Sequence, residues 1–213
     1  PYTTLFRSQI TAALIRRGCT HNIYSRFSNP TVQEFIDRMC VLEGTESGFA
    51  TASGMSAVFA SFMALLKKGD HLISCNSIFG STQTVIKKYL PNYGIECTYV
   101  SADKPEEWEA AIRPNTKMIF LETPTNPGLS IIDLEFVNEL AKKHSILLNV
   151  DNCFATPIIQ TPADWGADLV IHSATKYIDG QGRVLGGVIC GREDLIKEIR
   201  FFRSEEHTSE LQS

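Results

Sequence analysis

No apolar run in this chain approaches the roughly 20 residues that a membrane-spanning helix requires, so no membrane partner is expected. An excess of positive charge is also missing. The 213 residues carry a net charge of −4, which gives nucleic acid no electrostatic reason to bind. The six cysteines stand apart at positions 19, 40, 75, 97, 153 and 190, with no Cys-x-x-Cys pair. Several lie inside apolar runs, as buried reduced thiols do, and this points to the cytoplasm. The five histidines show no metal-ligand spacing, so no metal is expected. No Gly-x-Gly-x-x-Gly or P-loop pattern opens a helix, which removes support for a nucleotide-binding domain. What is present is an ordinary soluble composition, 43% hydrophobic and 21% charged, at a length that suits one large domain.

Apolar strand cores alternate with amphipathic stretches along most of the chain. Strands are predicted at 71–75, 96–100, 118–122, 146–151, 169–172 and 187–190. Helices are predicted at 31–43, from 54 to 66, and at 82–89, 105–112, 134–144 and 194–202. Thr31 is the expected cap of the first, with Val32, Phe35, Ile36, Met39 and Leu42 on one apolar face. Met55, Val58, Phe59, Phe62, Leu65 and Leu66 form the stripe of the second. Residues 24–30 are rich in turn formers and read as extended loop. This alternation predicts an α/β fold, a mostly parallel sheet covered by helices on both faces.

The chemistry gathers at strand ends. Lys176 follows the apolar run 167–171 within His172-Ser173-Ala174-Thr175-Lys176-Tyr177, and Gly180, Gly182, Gly186 and Gly187 crowd in after it. A lysine after a strand is most often a solvated surface residue. This one has company. A lysine can form a Schiff base with an aldehyde, and adjacent Ser and Thr hydroxyls can hold a phosphate. Asp151 ends another apolar run, where an unpaired carboxylate would be costly. A lysine and a carboxylate on neighbouring strand ends suit pyridoxal phosphate, since the carboxylate keeps the ring nitrogen protonated. Ser53-Gly54-Met55-Ser56 opens a helix, whose free amides and dipole suit a phosphate. His172 reads as a packing or hydrogen-bonding residue.

Three runs carry a resemblance. Residues 168–182 are similar to the cofactor-lysine signature of the Cys/Met-metabolism family of pyridoxal-phosphate enzymes, the trans-sulfuration family. Residues 24–31 and 122–127 resemble that family as well, and the likeness runs from about Tyr24 to about Phe202. The resemblance implies a PLP-dependent transferase of fold type I, with residues 31–202 as the large cofactor domain and 9–30 as an N-terminal loop segment. It implies that Gly54, Met55, Ser173 and Thr175 hold the cofactor phosphate, that Lys176 is both cofactor-binding and catalytic, and that Asp151 pairs with the ring nitrogen. It places Asn126 beside the ring or substrate. It has Tyr24 and Arg26 reaching into a neighbouring subunit's phosphate site, hence a homo-oligomer, dimer or tetramer. Phe79 stands where many members have a tyrosine; it can stack on the ring but has no hydroxyl to move a proton.

Residues 151–157 and 180–183 look most like the branch of methionine biosynthesis that replaces the succinyl group of O-succinylhomoserine with sulfide. The alternatives within the family are cystathionine γ-synthase, O-acetylhomoserine sulfhydrylase and methionine or cystathionine γ-lyase. An inactive cofactor-binding scaffold is the alternative outside enzymes, and intact Lys176, Asp151, Ser173, Thr175 and Arg26 argue against it. The runs 1–8 and 203–213 resemble translated adapter sequence and read as foreign tails on a shortened chain. The family's smaller C-terminal domain, which carries the arginine for the substrate carboxylate, is expected to be absent. Such a shortened chain is expected to be inactive alone.

Overall fold

Helix α1 (Pro30–Glu43) begins at Asn29, whose side chain accepts hydrogen bonds from the amides of Thr31 at 3.0 Å and Val32 at 3.2 Å. Asn29 rather than Thr31 is therefore the cap, as its short amide reaches the orphan donors of the first turn. The structure, a computed structural model, describes residues 29–204. Gly44 closes α1 in the left-handed region at φ 69°. The buried face of α1 is Ile36, Met39 and Glu43, while Val32 and Leu42 are exposed. The expected apolar stripe is thus displaced toward Glu43, because the helix has a buried acid to place.

Seven strands form one sheet among the described residues: β1 (Ser47–Thr51), β2 (His71–Cys75), β3 (Glu96–Val100), β4 (Thr116–Glu122), β5 (Leu147–Asp151), β6 (Leu169–Ser173) and β7 (Gly187–Gly191). Their order is β1-β7-β6-β5-β4-β2-β3. Pairs β6–β5, β5–β4, β4–β2 and β2–β3 are parallel, and β7 runs antiparallel to both its neighbours. β1 was not anticipated, since Ser-Gly-Phe-Ala-Thr is short and glycine-containing.

Helices flank the sheet. Along β7, Val188 and Cys190 pack with Met39 of α1, while Ile189 joins the cluster that contains Ala57, Val58 and Phe62. Successive side chains of a strand point to opposite faces. So α1 covers one face, and α2 (Gly54–Leu65) covers the other with α7 (Glu193–Ser204) beside it. Phe62 of α2 meets Phe120 of β4 edge-on, ring centres 5.0 Å apart. Helix α3 starts at Gly80 and widens into a π turn at Val85–Tyr89. Helices α4 (Pro105–Ala110), α5 (Leu134–His144) and the short α6 (Thr156–Ile159) complete the set, α6 being a turn not foreseen in the sequence.

Beneath the strand ends lies a buried polar cluster. Glu43 and His172 are both fully buried, and the Glu43 carboxylate meets His172 Nε2 at 2.5 Å. The same oxygen accepts from Asn152 Nδ2 at 2.9 Å. Asn152 also donates to the Gln160 carbonyl, and Gln160 Nε2 donates to the carbonyl of Thr123 at 3.0 Å. His172 is thus a hydrogen-bonding residue, as its position after the apolar run implied.

Candidate active site

The sheet delivers its chemistry to one end. Glu122 and Asp151 are the last residues of β4 and β5 and pair in register. Ser173 ends β6. Thr51 and Ser173 both pair with Gly187, so β1, β7 and β6 form one row at this end of the sheet. That row brings the start of α2 alongside Ser173. Parallel strands present ligand sites at their carboxyl ends, and here they do so beside a helix N-terminus.

Glycine is needed twice in this junction. A Cβ at Gly54 would lie 2.5 Å from Ser173 Cβ and 2.9 Å from its Cα. A Cβ at Gly187 would collide with the Ser53 carbonyl. Ser53 caps α2, its hydroxyl accepting from Ser56 N at 3.2 Å. The amides at Gly54 and Met55 are among those that the first turn leaves without helical partners.

An open cavity of about 550 Å³ occupies this junction. Gly54, Met55, Phe79, Asn126, Asp151, Ser173, Thr175 and Lys176 all line it. These are all the candidate residues that the structure describes; Tyr24 and Arg26 lie outside the described residues. Among the described residues, the Lys176 amine has no hydrogen-bond or ionic partner, and the Ser173 hydroxyl meets the Cys153 thiol. Thr175 differs: its hydroxyl accepts from Gly186 N at 3.1 Å and approaches the Gly186 carbonyl at 3.3 Å. It ties the lysine turn to the approach of β7.

The electrostatics are those of a desolvated acidic corner. Asp151 is half-buried, and burial pushes its carboxyl up to about 6, against the pull of the Cys153 amide and of nearby His172. Its carboxylate accepts from Cys153 N at 3.1 Å. Glu122 and Cys153 also line the cavity, and sequence reasoning gave neither a role there. Cys153 receives the Ser173 amide at 3.3 Å, and burial pushes its thiol up to about 12, so it packs rather than reacts. Glu122 is 3% exposed and accepts from the Phe79 amide at 2.8 Å. Its signal was available: like Asp151, it ends an apolar strand with an acid.

Pyridoxal phosphate fits these residues. The helix start where a Cβ has no room would take the phosphate, Asp151 would face the ring nitrogen, and the unpartnered Lys176 amine would meet the aldehyde. Sheet, helix start and lysine together define an α/β pyridoxal-phosphate protein of fold type I. The family profile described as Cys/Met metabolism PLP-dependent enzyme matches residues 2–209. The chain belongs to that family, whose cofactor is pyridoxal phosphate.

Relatives span several activities. The O-succinylhomoserine sulfhydrylase of Pseudomonas aeruginosa is 50% identical over 178 residues, covering 84% of this chain and 44% of that protein. The cystathionine γ-lyase of Bacillus subtilis is 46% identical over 182 residues, covering 85% of this chain and 48% of that protein. A crystal structure from Campylobacter jejuni that contains N'-pyridoxyl-lysine-5'-monophosphate is 41% identical. It superposes with a TM-score of 0.80, covering 88% of this chain and 46% of that one. The chain therefore spans less than half the length of these relatives.

The close approach at Gly54 yields a test. Gly54→Ala should separate α2 from Ser173, lower stability by about 1–3 kcal/mol and weaken cofactor binding. Denaturant midpoints and a fluorescence titration with pyridoxal phosphate would measure both. Unchanged affinity would show that the helix start does not hold the phosphate.

Proposed function

We propose that the full-length protein catalyses γ-replacement, converting O-succinylhomoserine and sulfide to homocysteine and succinate in methionine biosynthesis. The observation that carries this reading is Phe79 lining the cavity beside Lys176 and Asp151, with no phenolic hydroxyl at that place. The 50% identity to the Pseudomonas aeruginosa sulfhydrylase supports it. A second reading, γ-elimination, is favoured by the Bacillus subtilis γ-lyase at 46% identity.

The residues divide the labour as follows. Bound pyridoxal phosphate supplies an electron sink for charge developing at the substrate's α-carbon. The start of α2 and the Ser173 hydroxyl hold the phosphate in place. Asp151 holds a negative charge opposite the ring nitrogen, in a corner whose burial makes that charge effective. The Phe79 ring covers the site and excludes water. Lys176 is the base that takes the α-proton and the acid that returns protons to the product. Lys176 lies within a stretch whose Asp179 accepts from the Arg183 amide at 2.8 Å, so the turn carrying the lysine is itself braced.

Tyr24 and Arg26 complete the phosphate site of a neighbouring subunit in a homo-oligomer, in the cytoplasm, with Arg26 offering a fixed fork of donors. Mixing full-length Arg26→Ala with full-length Lys176→Ala should then restore activity through hybrids. Hybrids that form yet stay inactive would remove the shared site.

Borohydride reduction of the cofactor-loaded protein should fix pyridoxyl phosphate to the peptide containing Lys176, read by mass spectrometry. A label on any other lysine would overturn the assignment.

The activity is decided by comparing homocysteine formation from O-succinylhomoserine and sulfide with 2-oxobutanoate release from methionine, on the full-length enzyme. Homocysteine formation should be faster. Phe79→Tyr should move the balance toward elimination. Faster release of 2-oxobutanoate from methionine by the unaltered protein would place it with the lyases.

A further inference from the structure

Two carboxylic acids stand side by side at the ends of β4 and β5, and the chemistry described so far uses one of them. We propose that Glu122 is a positioning residue of the cofactor site, acting as a neutral carboxylic acid that fixes Phe79 through its amide and leaves Asp151 to carry the negative charge. This rests on reading Asp151 and Phe79 as cofactor residues.

The geometry supports it in three ways. Glu122 and Asp151 are in-register partners on adjacent parallel strands, and both line the cavity. Neither carboxylate has an ion pair among the described residues. Like charges so placed in a desolvated corner cannot both ionise at little cost, so one acid keeps its proton. The proton falls to Glu122 because its surroundings lack a cation. Burial comes first in raising it, Asp151 second, and the Phe79 amide at 2.8 Å is the one group drawing it down, with a net rise to about 8.

Other groups facing this corner agree. Cys75 on β2 and Cys153 after β5 face the same corner, and neither thiol brings a positive charge. His172 of β6 favours the anion at Asp151. Among the described cavity residues the cation is Lys176, committed to the cofactor in the reading above. A neutral Glu122 still offers an acceptor to the Phe79 amide, as its carbonyl oxygen keeps its lone pairs. The amide bond matters because Phe79 is 41% exposed and heads α3 without a side-chain cap, so Glu122 is the tie holding its backbone to the sheet.

Two variants separate neutrality from hydrogen bonding. Glu122→Gln is neutral and retains an acceptor for the Phe79 amide; Glu122→Met is neutral and similar in size but has none. In the full-length enzyme Glu122→Gln should keep kcat/KM within about threefold of the unaltered protein, and Glu122→Met should lose at least about tenfold. A readout free of turnover comes from the cofactor-free full-length protein. Its infrared difference spectrum against Glu122→Gln should show the carbonyl stretch of a protonated carboxylic acid at pH 7, fading as pH rises through about 8. Absence of that band at pH 7 would overturn the proposal, as would a Glu122→Gln variant as impaired as Glu122→Met. Equal retention by both variants would remove the role in fixing Phe79. Failure of the cofactor reading is a separate outcome, shown by borohydride labelling elsewhere than Lys176 while the infrared band is present.

Discussion

The pair between Glu43 and His172 holds the site in register with the fold. Glu43 sits at the end of α1, far in sequence from the strands it braces, and one of its oxygens receives both His172 and Asn152. His172 directly precedes Ser173, and Asn152 directly follows Asp151. Through Gln160 the same cluster reaches the Thr123 carbonyl, the residue after Glu122. One buried acid thus ties together the three strand ends that meet at the cavity. Removing one partner of such a pair costs about 3–5 kcal/mol, far more than a surface ion pair, because the other is left buried without compensation. Exposed pairs such as Arg38–Glu34 are worth little by comparison.

This bracing explains how a helix outside the sheet's other face can matter to cofactor chemistry. The reach of α1 to the strand ends is polar and runs through Glu43. The site is then held from two sides. Glu43 fixes the strand ends from one face, and the close packing of Gly54 on Ser173 fixes the helix start from the other. Between them lies a corner where solvation is poor, and where the protonation of neighbouring acids is settled by their distance from any cation.

Much of this was legible in the sequence. Long alternating segments declared the parallel strands, and the apolar runs ending in Asp151 and before Lys176 gave the chemical corner. What was not legible depends on contacts distant in sequence. β1 is five residues containing glycine, and it becomes a strand through pairing with β7. The antiparallel sense of β7 cannot be read from Gly-Val-Ile-Cys-Gly, since burial on both faces looks alike in either direction. Glu43 stood in the sequence only as the last residue of a predicted helix, because its partners Asn152 and His172 lie more than a hundred residues later. Thr175 read as a phosphate ligand, and its bond to Gly186 depends on how the following loop returns. Glu122 could have been found by applying to β4 the argument used for Asp151.

The position of β7 between β1 and β6 also orders events during synthesis. β1 leaves the ribosome early, yet its partner is the last strand among the described residues. Every other strand emerges before β1 has anything to pair with. Until then β1 is a bare edge, and its shortness and its glycine at position 48 limit what such an edge can recruit. Thr51 and Ser173 become neighbours when Gly187 arrives between them. The junction of β1 with β6 is therefore completed only once β7 has emerged, and a nascent chain halted before β7 would present the lysine without β1 set in the sheet beside it.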